Sequence, residues 1–248
     1  MKRPETMGCV AEDLASQHIS FYLQIGQLDE ARKLAEKFTE KLTESVELWI
    51  LRISIEMKCI TRNSPFPSKA DLLNIFELLK VKLTKVPVSK SQSLWLMALK
   101  FFANHRDYFD KLVEISIASL AKDCGSETEC SLSSAVVNFV LQKDGIQNAR
   151  KIYMRFLDLP HPGLALYESC INLELNMASI GDKDGLVNAR KLYESALATY
   201  SQNIKLWRDY YLMETKMGVS EKATAISWRA RKTLNQDIIA FVTSQEVS

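Results

Sequence analysis

The sequence predicts an all-α fold, a superhelical solenoid of about six antiparallel helix pairs. The stretch KDGLVNARKLY, beginning at Lys183, repeats KDGIQNARKIY forty residues earlier, with eight of eleven positions identical. Only 8 glycines and 6 prolines occur in 248 residues, which is few for a β-rich chain with many turns. Apolar residues recur three, four and seven positions apart, which is the spacing of one helix face. A fixed period of this length indicates stacked helical repeats.

Each repeat is predicted to contain an A helix, a short loop and a B helix. A lone pair cannot bury all of its apolar surface, so neighbouring pairs are expected to stack along one axis. The predicted A helices begin at Leu14, Leu48, Leu94, Leu132, Leu166 and Leu206, and the B helices contain Ala31, Phe76, Val113, Ala149, Ala189 and Ala223.

Glycine and proline mark the ends of these helices. Gly26, Gly145, Gly185 and Gly218 fall at or near A-to-B junctions, where a left-handed helix C-cap is expected. The segments RNSPFPSK (62–69), DCGSETEC (123–130) and LPHPG (159–163) are predicted loops between repeats. We assign residues 10–248 to one solenoid domain, expected to be the C-terminal part of a longer protein. Residues 1–9 are expected to be disordered or foreign to the native chain.

Charge and cysteine content argue against several functional classes. The net charge of +2 is too small for the global field that drives tight, non-specific nucleic-acid binding. The 5 cysteines form no CxxC, zinc or secreted disulfide pattern, which favours reduced thiols in a cytosolic or nuclear protein. No apolar run approaches the roughly eighteen residues of a membrane span.

No motif for catalysis or cofactor binding is found. The chain lacks HExxH, GxSxG, P-loop and GxGxxG patterns. The segment GDKDG (181–185) is similar to a calcium loop, but an EF-hand frame would place Ile180 first and Lys191 last, where Asp and Glu are needed. We therefore expect a protein that is not an enzyme, with no cofactor, metal or small-molecule ligand.

The A and B motifs resemble the HAT repeat, a relative of the TPR. The A motif here is Trp207, Tyr210 and Glu214, and the B motif is Ala189, Arg190, Leu192, Tyr193, Glu194, Ala196 and Leu197. The end of the chain, from ARKLYESALATYSQ through RARKTL to DIIAFVTSQ, resembles the C-terminal region of the U3 small nucleolar RNA-associated protein six family, from the UTP-B module of the small-subunit processome.

The resemblance implies a protein–protein scaffold in nucleolar ribosome biogenesis and 18S pre-rRNA processing. It implies a nuclear and nucleolar location and, as partners, other UTP-B subunits, including WD40-propeller proteins. Weak binding of pre-ribosomal RNA and no membrane association are expected. Two alternatives stay open: a HAT scaffold of splicing or mRNA 3′-end processing, and a direct RNA-binding module.

The recurring aromatic and charged positions have a structural and a functional interpretation. Aromatic side chains could stack on bases, but their shared repeat position favours packing between helices. Arg150 and Arg190 could bind phosphate, or could stack on the aromatic of their own repeat or pair with an A-helix glutamate, such as Glu174 near Arg190. The predicted repeat-core residues are Trp49, Trp95, Tyr153, Tyr167, Tyr193, Trp207 and Tyr210, and the structural polar residues are Arg150, Glu174, Arg190 and Glu214.

Two basic groups are candidate contacts for RNA or for an acidic partner. No acidic residue lies between Glu77 and Asp107, and within this stretch Lys80, Lys82, Lys85 and Lys90 crowd the end of one B helix. The alternative is a solvated end whose lysines compensate the negative helix terminus. The second group, Arg229, Arg231 and Lys232, lies on the last B helix, and its alternative is a soluble capping face.

Overall fold

A computed structural model describes residues 4–63, 67–122, 131–217 and 220–234, and these ranges are helical with no strand. The all-α prediction is thereby confirmed for the described residues, whereas the superhelix and the number of pairs stay predictions. The helices are α1 (Pro4–Gln24), α2 (Leu28–Lys41), α3 (Val46–Asn63), α4 (Lys69–Leu83), α5 (Val88–Phe102), α6 (Arg106–Lys122), α7 (Ser131–Leu157), α8 (Leu164–Ser179), α9 (Gly185–Thr199), α10 (Ile204–Met217) and α11 (Ser220–Thr233).

The chain forms two compact units, one of residues 1–126 and 138–145 and one of residues 127–137 and 146–248. In the first unit α1 packs on α2 and α3, and α3 also packs on α2, α4 and α5. The helix α4 packs on α5 and α6, and α5 packs on α6. Contacts between alternate helices, such as α1 with α3, are those that stack one pair on the next. Buried Ile19, Ala31, Ala35, Leu48 and Ile55 form the core of the first three helices.

In the second unit α8 packs on α9, α9 on α10, and α10 on α11. Alanines at the contact faces are fully buried, among them Ala189, Ala196 and Ala230. Small side chains let helix axes approach closely, so the repeated alanine of the B helices serves packing rather than helix propensity alone. The same requirement explains Gly185, where an added Cβ would lie 2.7 Å from the backbone N of Ala178 and the backbone O of Glu174.

Among the described residues, glycines with positive φ end the first helix of a pair at three junctions. Gly26 (φ 78°) follows α1 and Gly181 (φ 98°) follows α8. After each of them, one backbone N–H reaches five residues back, Gln27 to Tyr22 and Asp182 to Met177, which is the Schellman C-cap. Gly145 (φ 78°, ψ 179°) is a non-helical residue inside α7.

The predicted junction role of Gly185 is wrong. Gly185 is the first residue of α9 and has no positive φ, and the left-handed position belongs to Gly181 four residues earlier. The two sites need glycine for different reasons, one for backbone conformation and one for close helix approach. Gly218 and the segment 123–130 lie outside the described residues. In the part of the chain that the structure describes, no helix is both long and apolar enough to cross a bilayer.

Candidate functional site

An arginine–glutamate ion pair recurs three times among the described residues, and each time the two residues are 24 positions apart. The arginine follows the buried alanine of one helix, and the glutamate lies on the next helix along the chain. The guanidinium donates through Nε and Nη2 to both carboxylate oxygens over 2.6–2.9 Å, a two-pronged geometry that lysine cannot make. The pairs are Arg32–Glu56, Arg150–Glu174 and Arg190–Glu214.

The pair of Arg150 and Glu174 extends into a polar cluster inside the second unit. The Tyr153 hydroxyl donates to Glu174 over 2.8 Å, and Arg150 also contacts Asp182 at 2.5 Å. Burial raises the pKa of the Tyr153 hydroxyl, and its bond to Glu174 adds to the rise. A backbone N–H from Asp184 and the Arg150 guanidinium lower the pKa of Asp182. These groups hold α7 and α8 in register and offer no free acid or base.

The suggested pairing of Glu174 with Arg190 is wrong by one repeat. Both residues belong to one helix pair, α8 and α9, but Arg190 reaches forward to Glu214 on α10 at 2.6 Å. Glu174, which is fully buried, is taken by Arg150 of the preceding repeat. The ion pairs therefore connect successive repeats. The matching pair of Arg32 and Glu56 was missed, although the same 24-residue spacing in the sequence could have revealed it.

Two tryptophans share a second recurring arrangement. Trp49 and Trp207 each donate the indole N–H to the carbonyl six residues earlier, Thr43 at 3.2 Å and Ser201 at 2.8 Å. In each repeat a cation from the following B helix lies over the ring, Lys82 at 5.7 Å and Arg229 at 5.4 Å from the centroids. Trp207 is buried, whereas Trp49 is partly exposed.

Trp95 occupies the same repeat position without the same hydrogen bond. Its ring is fully buried, and its Nε1 has no hydrogen-bond partner among the described residues. Trp49 and Trp207 are the fourth residues of α3 and α10, so the carbonyl six positions back lies in the preceding loop. Trp95 is the eighth residue of α5, and the corresponding carbonyl belongs to Ser89, already inside the helix.

The predicted core tyrosines all lie inside the second unit. Tyr193 and Tyr210 stack with their planes 6° apart and centroids 4.7 Å apart. Tyr167 is 4 % exposed and its hydroxyl lies 3.2 Å from Ser195 Oγ. With Tyr153, these rings are buried between helices, which leaves no face for a nucleic-acid base.

The first basic group divides into buried and exposed lysines. Lys82 is only 4 % exposed, donates to the Thr43 carbonyl, and has its pKa lowered by burial. It links α4 to the loop before α3, so its inclusion among surface contacts is wrong. Lys80 is exposed and pairs with Glu77 at 3.4 Å. Lys85 is exposed in the loop between α4 and α5, and Lys90 is exposed in the first turn of α5.

The second basic group lies on α11 beside an exposed tryptophan that the sequence analysis missed. Arg229 donates to both oxygens of Glu194 at 2.7 Å, and the Tyr210 hydroxyl donates to the same carboxylate. The Lys232 ammonium lies 5.4 Å from the centroid of Trp228, whose side chain is 64 % exposed. Arg231 is also exposed.

A comparison with protein-family profiles decides where this architecture belongs. The family described as "U3 small nucleolar RNA-associated protein 6 C-terminal" matches residues 1–234 of the 248. The chain belongs to this family. A comparison with curated proteins finds no match. Membership in the U3 small nucleolar RNA-associated protein 6 family implies a role in ribosome biogenesis, association with the processome and a nucleolar location.

Several reactive side chains of this U3-associated family member are committed to structure. Cys170 is buried, and burial raises the pKa of its thiol to about 12, so the thiol stays protonated at neutral pH. Burial likewise raises the pKa of Tyr193 and Tyr210. Among the described residues no group of His, Cys, Asp or Glu side chains is placed to hold a metal ion.

Proposed function

We propose that this chain is a non-catalytic protein–protein scaffold in the nucleolar assembly of the small ribosomal subunit. The family match over residues 1–234 is the observation that carries the proposal. Family membership favours 18S pre-rRNA processing over splicing or mRNA 3′-end processing. The partners we propose are other UTP-B subunits, including WD40-propeller proteins.

The distribution of charge and aromatic side chains supports a scaffold that works through its surface. The recurring side chains form contacts between helices, and they are arginine, glutamate, tyrosine and tryptophan. They therefore stabilise the packing of the helices and are not free to bind a substrate. A rigid stack of helix pairs presents an extended, pre-organised surface, which suits the binding of partner proteins. The HAT solenoid over residues 10–248 is part of this proposal.

Direct RNA binding through the first basic group is the weaker alternative because few of its cations are available. Of the four clustered lysines, Lys82 is buried and Lys80 is already paired with Glu77. Contacts from Lys85 and Lys90 alone would give a logarithmic salt dependence of only about −1.4 to −1.8. Lys85→Glu with Lys90→Glu should abolish that weak binding without changing the melting temperature.

Purification of the tagged chain from nuclear extract, with and without ribonuclease, tests the scaffold proposal. We expect UTP-B proteins to be recovered after ribonuclease treatment, and 18S precursors to be recovered only without it. If partners are recovered only when RNA is intact, the scaffold proposal is overturned and an RNA-binding module is favoured. Recovery of splicing or 3′-end processing factors in place of UTP-B proteins would overturn the assignment to ribosome biogenesis.

A further inference from the structure

The helix α11 exposes a tryptophan among polar side chains. Trp228 is 64 % exposed, more than every other large apolar side chain described except Ile180 at 75 %. Its neighbours at Thr224, Arg231 and Lys232 are polar and exposed. Tryptophan is enriched among the residues that dominate protein interfaces. Trp228 is therefore the strongest exposed anchor in the second unit.

Trp228 forms one wall of an open groove of about 410 Å³ between α9 and α11. Leu197 and Ala198 on α9 and the indole of Trp207 on α10 also line the groove. Leu197 and Trp207 are almost fully buried, so the accessible apolar surface comes from Trp228 and Ala198. A groove of this volume is at the small end of protein binding pockets and suits a large side chain together with its flanking backbone.

The charge around this groove is positive. Glu194 is the only acidic side chain that lines the groove within the described residues, and its carboxylate is already bonded to Arg229. Lys232 lines the groove without a carboxylate of its own among the described contacts, and Arg231 is exposed on the same helix turn. The chemistry that complements this groove is an apolar side chain with carboxylates on its flanks.

We propose that the groove at Trp228 binds an extended acidic segment of a partner protein, which inserts an aromatic or branched aliphatic side chain against Trp228 and Ala198. Carboxylates next to the inserted side chain contact Lys232 and Arg231. The inserted side chain covers the exposed indole, and the carboxylates fix the register of the segment. This inference rests on the proposed scaffold function and names one of its docking surfaces.

Selection of random dodecapeptides displayed on phage against the full chain tests the chemistry of the occupant. We expect the enriched peptides to carry Phe, Leu, Ile or Trp next to Asp or Glu. The best peptide, made synthetically and labelled, is then measured by fluorescence anisotropy. Enrichment of peptides without this pattern, or no enrichment, would overturn the proposal.

Variants of the chain locate the binding of the selected peptide. Trp228→Ser should weaken it roughly thirtyfold, as truncation of an interface hot spot does, and Lys232→Glu should weaken it roughly tenfold. Ile180→Ser and Lys183→Glu are matched controls, exposed on the same unit away from the groove, and should bind like the parent. Unchanged melting temperatures verify that the variants fold. Equal binding by Trp228→Ser and the parent contradicts the proposal.

Other occupants would be recognised in the same assay. Displacement of the selected peptide by a synthetic peptide of residues 235–248, or by polyuridylate, would assign the groove to this chain's own end or to RNA and overturn the proposal. If analytical ultracentrifugation shows a dimer of the parent that Trp228→Ser dissociates, the groove binds a second copy of this chain, and the proposal is overturned. If Trp228→Ser keeps every nucleolar partner of the parent, this docking surface is refuted while the scaffold function stands.

Discussion

The ion pair of Arg190 and Glu214 should respond very differently to removal of one partner or of both. Glu214 is 0 % exposed, whereas the Arg190 side chain is 22 % exposed. Arg190→Met removes the guanidinium that bonds both oxygens of this buried carboxylate, which costs about 3–5 kcal/mol of unfolding free energy. In Glu214→Gln the Arg190 guanidinium still reaches water, and the glutamine amide oxygen still accepts a hydrogen bond from it. The unfolding free energy should therefore fall by only about 1–2 kcal/mol, about one charged hydrogen bond.

Replacing both partners should restore most of the loss. In Arg190→Met with Glu214→Leu no buried charge is left, and such apolar replacements are often neutral or stabilising, so we expect this double variant within about 1 kcal/mol of the parent. The exposed pair of Lys205 and Glu168, with side chains 57 % and 32 % exposed, is the matched control. Lys205→Met should cost less than about 1 kcal/mol.

Urea unfolding followed by circular dichroism gives the free energies, and hydrogen exchange of peptides from α9 and α10 assigns the change to this contact. Exchange is needed because a chain with two compact units can unfold in more than one transition. If Arg190→Met costs no more than Lys205→Met, the pair does not hold the repeats together. A double variant as unstable as the sum of its single changes would refute the explanation by an uncompensated charge.

Three further predictions concern packing, an unpaired donor and pH. Gly185→Ala should lower the unfolding free energy by about 1–3 kcal/mol, because its Cβ would overlap the α8 backbone at 2.7 Å; a higher melting temperature would contradict this. Trp207→Phe should destabilise more than Trp95→Phe in urea, since only Trp207 loses a hydrogen bond, and the reverse order would refute the assignment. Arg229 holds the pKa of Glu194 below its ordinary 4.5, so this contact stabilises fully above pH 4.5 and its contribution is lost as pH falls through the lower folded-state pKa. Glu194→Gln should therefore lower the melting temperature at about pH 7 and have little effect near pH 2–3, and an equal effect at both would contradict the contact.

Local sequence pattern was sufficient to predict the all-α class and the family. Helix formation depends on residues three and four positions apart, so apolar spacing predicts where helices lie even without knowledge of their neighbours. Identical residues forty positions apart indicate that two segments form the same unit. The HAT motifs and the final residues pointed to the U3-associated family, which the family comparison confirmed.

Residue partners and exposure depended on which helices lie side by side. The sequence identified Arg190 as a structural residue, but whether it reaches Glu174 or Glu214 is decided by the packing of α9 on both α8 and α10. The sequence placed Gly185 at a turn because glycine there fits a C-cap, yet the close approach of α8 is what requires it.

The same limit applies to the surface. The sequence does not distinguish the four clustered lysines of the acid-free stretch from one another. In the structure, Lys82 alone among them contacts Trp49 and the Thr43 carbonyl. No sequence pattern singled out Trp228, and only the arrangement of α9 and α11 leaves it exposed beside a groove. Sequence by itself determined where the helices lie because helix formation depends on short-range spacing. Tertiary structure decided which charges pair and which apolar side chain stays exposed, because pairing and burial depend on contacts between residues distant in the chain.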